Sequence, residues 1–121
     1  MCFKVSEKFP DPIVAKRDIP CYKSVFNKGW RAKNGYEAAV QRYAYFVGRT
    51  SKRVPLLTKY ALLINEGYHS YRNLKIAKCE HKMWLDGALI IVKMVIPKGT
   101  VYYKNDKEYV SERIKCIGPL K

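Results

Sequence analysis

Three groups of residues in this chain have the types and spacing to do chemistry. The first is basic and aromatic. Arg49, Lys52 and Arg53 enclose Thr50 and Ser51, and Trp30, Arg31, Lys33 and Tyr45 come shortly before them. Guanidinium and ammonium groups hold phosphates while aromatic faces stack on bases, the mixture used by binders of single-stranded or looped nucleic acid. The second is Glu66-Gly67-Tyr68-His69-Ser70-Tyr71, where an imidazole stands among phenols and a hydroxyl and can orient a polar ligand. The third is Glu108, between Asp106 and Glu112, a carboxylate able to anchor a ribose or to serve as an acid or base. Each group also has a plainer reading: aromatics facing a core, a histidine bonded to backbone, turn carboxylates in solvent. Phosphate or nucleic-acid contacts are therefore expected at Arg31, Lys33, Arg49, Lys52, Arg53, Trp30 and Tyr45. Catalytic candidates are Glu108, His69 and Tyr68.

No Ser-His-Asp spacing, phosphate-binding P-loop or GxGxxG run is present, and Lys98-Gly99-Thr100 lacks the upstream glycine of a Walker motif. Nor is there an RRM, KH, zinc-finger or helix-turn-helix signature. The basic group thus rests on charge and composition. Of 121 residues, 24 are Lys or Arg and 10 are Asp or Glu, for a net charge of +14. The excess is concentrated: residues 19–65 hold nine cations against the single carboxylate of Glu37, a net +8. A surface this positive raises the local concentration of polyanions and speeds encounter with them. Nucleic acid or a nucleotide is the expected partner, with an acidic protein surface as the alternative.

The elements that must position these residues are read from hydrophobic pattern. Ile19 to Phe26 alternates as a strand. Ala88 to Ile96 is nearly continuous in apolar and β-branched residues, which fits a strand buried on both faces. Pro97-Lys98-Gly99 stops it, since proline cannot donate to a ladder and glycine accepts a positive φ. Thr100 to Tyr103 and Tyr109 to Ile117 read as two further strands around a polar turn, and Tyr68 to Tyr71 as a short one. Helical spacing appears at Tyr36, Val40, Tyr43 and Val47, where the aromatic and β-branched content also allows a strand, at Leu56, Tyr60, Leu63 and Ile64, and from Leu74 to Leu85. Gly67 stands where a left-handed helix cap would. The expectation is an α+β fold: one domain over 1–121, a mostly antiparallel sheet of about five strands, and two or three helices. Residues 1–20, punctuated by Pro10, Pro12 and Pro20, would pack on it as an extended arm.

Four cysteines stand at 2, 21, 79 and 116 with no CxxC pair and no histidine at zinc-like spacing, so buried free thiols and no metal are expected. The longest apolar run is well below the roughly 18 residues of a membrane span, and MCFKVSEKFP has no signal-like apolar region. A cytoplasmic protein without membrane attachment is expected.

The pieces EGYHSY, VIPKGTVYY and EYVS look like those of small uncharacterised proteins of gut-bacterial phages and mobile elements, and their order resembles the ADP-ribosyltransferase-like core. The resemblance implies a first strand at Ile19 to Val25, a middle motif at Gly67 to Tyr71, a central strand at Ala88 to Ile96 and a late strand at Glu108-Tyr109-Val110. It implies NAD as the ligand, with Glu108, His69 and Tyr68 around it. At the first-strand position, where that family carries histidine or arginine, this chain has Cys21-Tyr22-Lys23, and the family's serine-threonine-serine motif is missing. Fold likeness by itself licenses no activity. Three functions are carried forward: a basic nucleic-acid or phosphate-binding protein with no cofactor, an ADP-ribosyltransferase-like enzyme or degenerate relative, and a phage-type inhibitor acting on a host factor through protein contact.

Overall fold

The computed structural model describes residues 3–26, 35–38, 44–56, 58–59, 63–64, 66–81 and 89–119. Its strands are β1 (Phe3–Lys4), β2 (Ile13–Val14), β3 (Ile19–Phe26), β4 (Gly35–Ala38), β5 (Ala44–Phe46), β6 (Thr58–Lys59) and β7 (Leu63–Ile64). After β8 (Tyr68–Tyr71) comes the helix α1 (Leu74–His81). Then follow β9 (Leu89–Ile96), β10 (Val101–Lys104), β11 (Glu108–Ser111) and β12 (Lys115–Pro119).

Nine strands form one sheet, in the order β12-β9-β3-β8-β11-β10-β2, with β4 added beside β3 and β5 beside β4. A second sheet runs β1-β7-β6. Every paired strand is antiparallel. The centre is β3 against β9, in register from Ile19 opposite Ile96 to Phe26 opposite Leu89. On β9 the residues Val92, Met94 and Ile96 are wholly buried, while Lys93 is exposed and Ile91 and Val95 are half-buried. The strand expected to be buried on both faces therefore has one dry face and one partly covered face. Cys21 opposite Met94, Val25 and Cys116 complete the dry face together with Tyr45, Tyr68 and Ile114. Each fully buried Val, Ile or Met side chain contributes about 1.5–3 kcal/mol relative to exposure. A smaller core gathers Phe3, Val5, Ile64 and Val110, with Leu56 and Tyr103 against it.

The α+β expectation is overturned: the fold is essentially all-β, with one short helix among the described residues. That helix starts where the sequence places it. The Asn73 side-chain carbonyl accepts the Ile76 N–H at 2.9 Å, the bond an N-cap residue supplies, and Ala77 is buried against the sheet. Residues 82–85 of the expected helix lie outside the described residues. The described residues of the other two stretches expected to be helical form strands. Within residues 36–47, β4 and β5 form an antiparallel pair, with Tyr36 opposite Tyr45, and β4 continues the sheet beyond β3, with Ala38 opposite Val25. Aromatic and β-branched residues fit a pleated, half-buried surface better than a helix, and that preference outweighs the accidental 3.6-residue spacing. Within 56–65, β6 and β7 pair with one another, and Ile64 stands opposite Phe3 of β1 in the smaller core. Gly67 does adopt a positive φ, +101°, but it turns the chain into β8 rather than closing a helix. The expected strand from Tyr109 to Ile117 is divided: β11 pairs with β10 and β8, whereas β12 pairs with β9 at the far edge of the sheet. No helix among the described residues is long and apolar enough to cross a membrane.

Candidate functional site

The segment from Val47 to Val54 is an extended strap laid beside the chain entering β12. Gly48 N–H donates to the Cys116 carbonyl at 2.8 Å, Ser51 N–H to Ile114 at 2.8 Å and Val54 N–H to Glu112 at 2.9 Å. The Ser51 hydroxyl returns the bond, accepting the Ile114 N–H at 2.9 Å. Gly48, with φ +81°, makes the turn by which the chain leaves β5 for the strap. The basic segment from Arg49 to Arg53 is thus held along its length.

This pairing fixes where the charges stand. Arg49, Lys52 and Arg53 are exposed, and so are Lys98 on the turn after β9 and Arg113 on the turn before β12. Thr50, Arg53, Lys98, Thr100, Glu112 and Arg113 line one hollow of about 480 Å³. The Lys98 turn is itself pinned: its N–H donates to the Asp18 carboxylate at 2.9 Å, and Gly99 N–H donates to the carbonyl of Ala15. The carboxylate in the hollow is paired. Arg53 reaches Glu112 through Nε at 2.8 Å and through Nη2 at 3.4 Å, and the Glu112 side chain is only 8% exposed. The strap backbone is also held at Lys52, whose carbonyl accepts the Tyr68 hydroxyl at 2.6 Å. The result is an exposed, positively charged surface on a hydrogen-bonded backbone, of a kind that can meet phosphate groups.

The remaining expected site residues fall elsewhere. Trp30, Arg31 and Lys33 lie outside the described residues. Tyr45, expected as a stacking platform, is 3% exposed inside the main core, edge-on to Tyr68 with ring centroids 6.1 Å apart. It is a packing residue, placed there because β5 turns it toward the dry face. Tyr68 is buried with its hydroxyl used on the strap. His69 is also buried, its ring 6.4 Å from that of Phe3. Strand alternation puts these two neighbours on opposite faces of the sheet. Glu108 opens β11 opposite Tyr71, half-buried, with its N–H donated to Asn105 Oδ1 at 2.7 Å. Tyr68, His69 and Glu108 therefore do not converge on one cavity.

A buried polar cluster went unread in the sequence. Lys23 projects from β3 into the main core, where its ammonium donates to the carbonyl of His69 and lies 5.7 Å from the Tyr45 ring centroid. Burial lowers its pKa to about 8, with Cys21 and Glu108 opposing the shift. Two residues away on the same face, burial pushes the Cys21 thiol up to about 12, against the pull of Ser70 and Lys23. Burial likewise raises Cys116 to about 11. The signal was available: alternation along Ile19 to Phe26 puts Lys23 on the same face as Cys21 and Val25. Protonated thiols at these positions are poor nucleophiles at neutral pH. Cys79, in contrast with the expectation of buried thiols, is exposed on α1. Among the described residues no cluster of His, Cys, Asp and Glu could hold a metal ion.

No protein-family model, curated protein or solved structure matches the chain.

Proposed function

We propose that the protein binds a nucleic-acid strand through its phosphates along the strap and the adjoining turns. The observation that carries this reading is the pairing of Val47–Val54 with the 112–116 segment, which brings Arg49, Lys52 and Arg53 beside Arg113 and Lys98. A backbone already held by hydrogen bonds leaves only side-chain ordering to be lost when these cations meet a polyanion, and the net charge of +14 favours the encounter. Binding by such a surface is dominated by counterion release and is largely indifferent to base sequence. Thr50, exposed and among the residues that line the hollow, carries a hydroxyl of the kind that donates to phosphate oxygens.

The test is fluorescence anisotropy of a labelled single strand across a salt series, with the wild type and an Arg49→Ala/Lys52→Ala/Arg113→Ala variant. Arg53 is left intact because it holds Glu112. Each phosphate contact contributes a slope of about −0.7 in log K against log salt for a single strand, so losing three contacts reduces the slope by about 2. An unchanged slope in the variant, or an affinity indifferent to salt in the wild type, excludes this surface as the binding site.

A further inference from the structure

A second hollow, of about 420 Å³, opens beside β2 and β10. Val101 and Tyr102, neighbours on β10, line different hollows: Val101 the one beside the strap, Tyr102 this one. Its lining combines three cations, Lys16, Arg17 and Arg72, with the rings of Tyr102 and Tyr109 and the aliphatic wall of Ile13. No carboxylate is among the lining residues. Asp18, next in the chain after Arg17, is turned away and accepts the Lys98 N–H.

The geometry points to a binding site for a small aromatic anion, a phosphate monoester carried on a ring. Arg72 is the fixed point. Its backbone N–H donates to the Lys107 carbonyl at 2.9 Å and its Nη1 to the Asn105 carbonyl at 3.0 Å, and its guanidinium carbon stands 5.8 Å from the Tyr109 centroid. One of its five N–H groups is used in this way, and the rest of the fork can meet an oxyanion at two points. Tyr109 meets Tyr102 edge-to-face, with centroids 5.6 Å apart and planes at 90°, so the aromatic wall is rigid. Burial, with the neighbouring Tyr109, holds the Tyr102 phenol above its ordinary pKa. Three cations around one hollow repel one another, and an anion relieves that repulsion. The apolar half then requires that the anion carry a ring. The volume is within the range of a small-molecule site. The site is independent of the strap and of the polyanion reading.

Isotope-labelled protein titrated with phenyl phosphate, and separately with inorganic phosphate and with phenol, tests the site. Phenyl phosphate is expected to give saturable amide shifts confined to residues 13–17, 72, 102 and 109, at least tenfold tighter than either fragment. Arg72→Gln is expected to weaken it at least tenfold. Should that variant fail to fold, Lys16→Ala/Arg17→Ala, at two exposed positions, is expected to weaken it at least threefold. Adenosine monophosphate against adenosine asks whether a nucleotide is the source of the ring and the phosphate. Inorganic phosphate binding as tightly as phenyl phosphate, shifts spread over all the basic surfaces, or full affinity in the variants would each overturn the assignment. The Arg49→Ala/Lys52→Ala/Arg113→Ala protein is expected to bind phenyl phosphate as the wild type does, which separates this site from the strap.

Discussion

The ammonium of Lys23 on β3 is bonded to the carbonyl of His69 on the neighbouring strand β8, inside the core. A cation in that position costs stability while it stays charged, and burial accordingly lowers its pKa to about 8. The unfolded chain holds this proton up to an ordinary lysine pKa near 10.5, whereas the folded chain releases it near 8. Between these values the unfolded state binds more protons, so Lys23 makes stability rise with pH from about 8. Cys21 and Cys116 act in the opposite sense. Folding keeps them protonated to about 12 and about 11 while the unfolded thiols ionise near 9, so stability falls above pH 9. Urea midpoints are therefore expected to climb from pH 7.5 to about 9 and then level or decline. Lys23→Met is expected to remove the climb and keep the decline. A variant that still gains stability from pH 8 to 9 refutes the assignment to Lys23.

The pairing of Arg53 with Glu112 makes a separate prediction. Glu112 is nearly buried, while 58% of the Arg53 side chain is exposed, so the pair is screened on one side only. Arg53→Ala strands a carboxylate with little water and is expected to cost about 2 kcal/mol, less than for a fully buried pair. Adding Glu112→Gln is expected to restore part of that loss, because the uncompensated charge is gone. Chemical denaturation of the two single variants and the double variant checks this. Equal and additive losses would show that the two side chains act separately.

The strands that organise the sheet were legible because their pattern is local. Ile19 to Phe26 alternates and Leu89 to Ile96 is β-branched, and the two pair along their whole length. The helices expected at 36–47 and 56–65 were not, because a few aromatic and aliphatic residues satisfy a helical period by chance while their pairing partners are remote. Nothing local in Leu63-Ile64 reveals Phe3 and Lys4 as its neighbours. The same limit applies to the site. Arg49, Lys52 and Arg53 were conspicuous, but their company with Arg113 depends on Ser51 meeting Ile114, 63 residues away. Tyr45 has a ring of the kind that stacks on bases, but in the strand pair of β4 and β5 it lies inside the main core.

The thiols are expected to divide sharply under native labelling. Cys79 is exposed on α1, while Cys21 and Cys116 are buried and held protonated. Iodoacetamide at pH 8 should modify Cys79 within minutes and reach Cys21 and Cys116 only as the fold opens. Peptide mapping of the labelled protein reads this directly. Rapid native modification of Cys21 would mean that the dry face of β3 is open to solvent.

Two glycines with similar backbone angles should respond differently to the same substitution. Gly67 has φ +101° and Gly99 has φ +88°, so alanine is strained at both by about 1 kcal/mol. Around Gly99 an added methyl meets nothing within 4 Å. At Gly67 it would collide with the Leu56 side chain and press on Val110 Cγ2 at 3.0 Å and on the Ser111 carbonyl at 3.3 Å. Leu56 and Val110 belong to the smaller core, so relief of the collision must disturb that packing or the β8–β11 pairing. Gly99→Ala is expected to cost about 1 kcal/mol and Gly67→Ala about 3 kcal/mol, an overpacking increment added to the same strain. Thermal melts of the two variants decide it. Equal losses would mean that Leu56 swings aside freely, and the smaller core would then have to be looser around Gly67 than its buried residues Phe3, Ile64 and Val110 indicate.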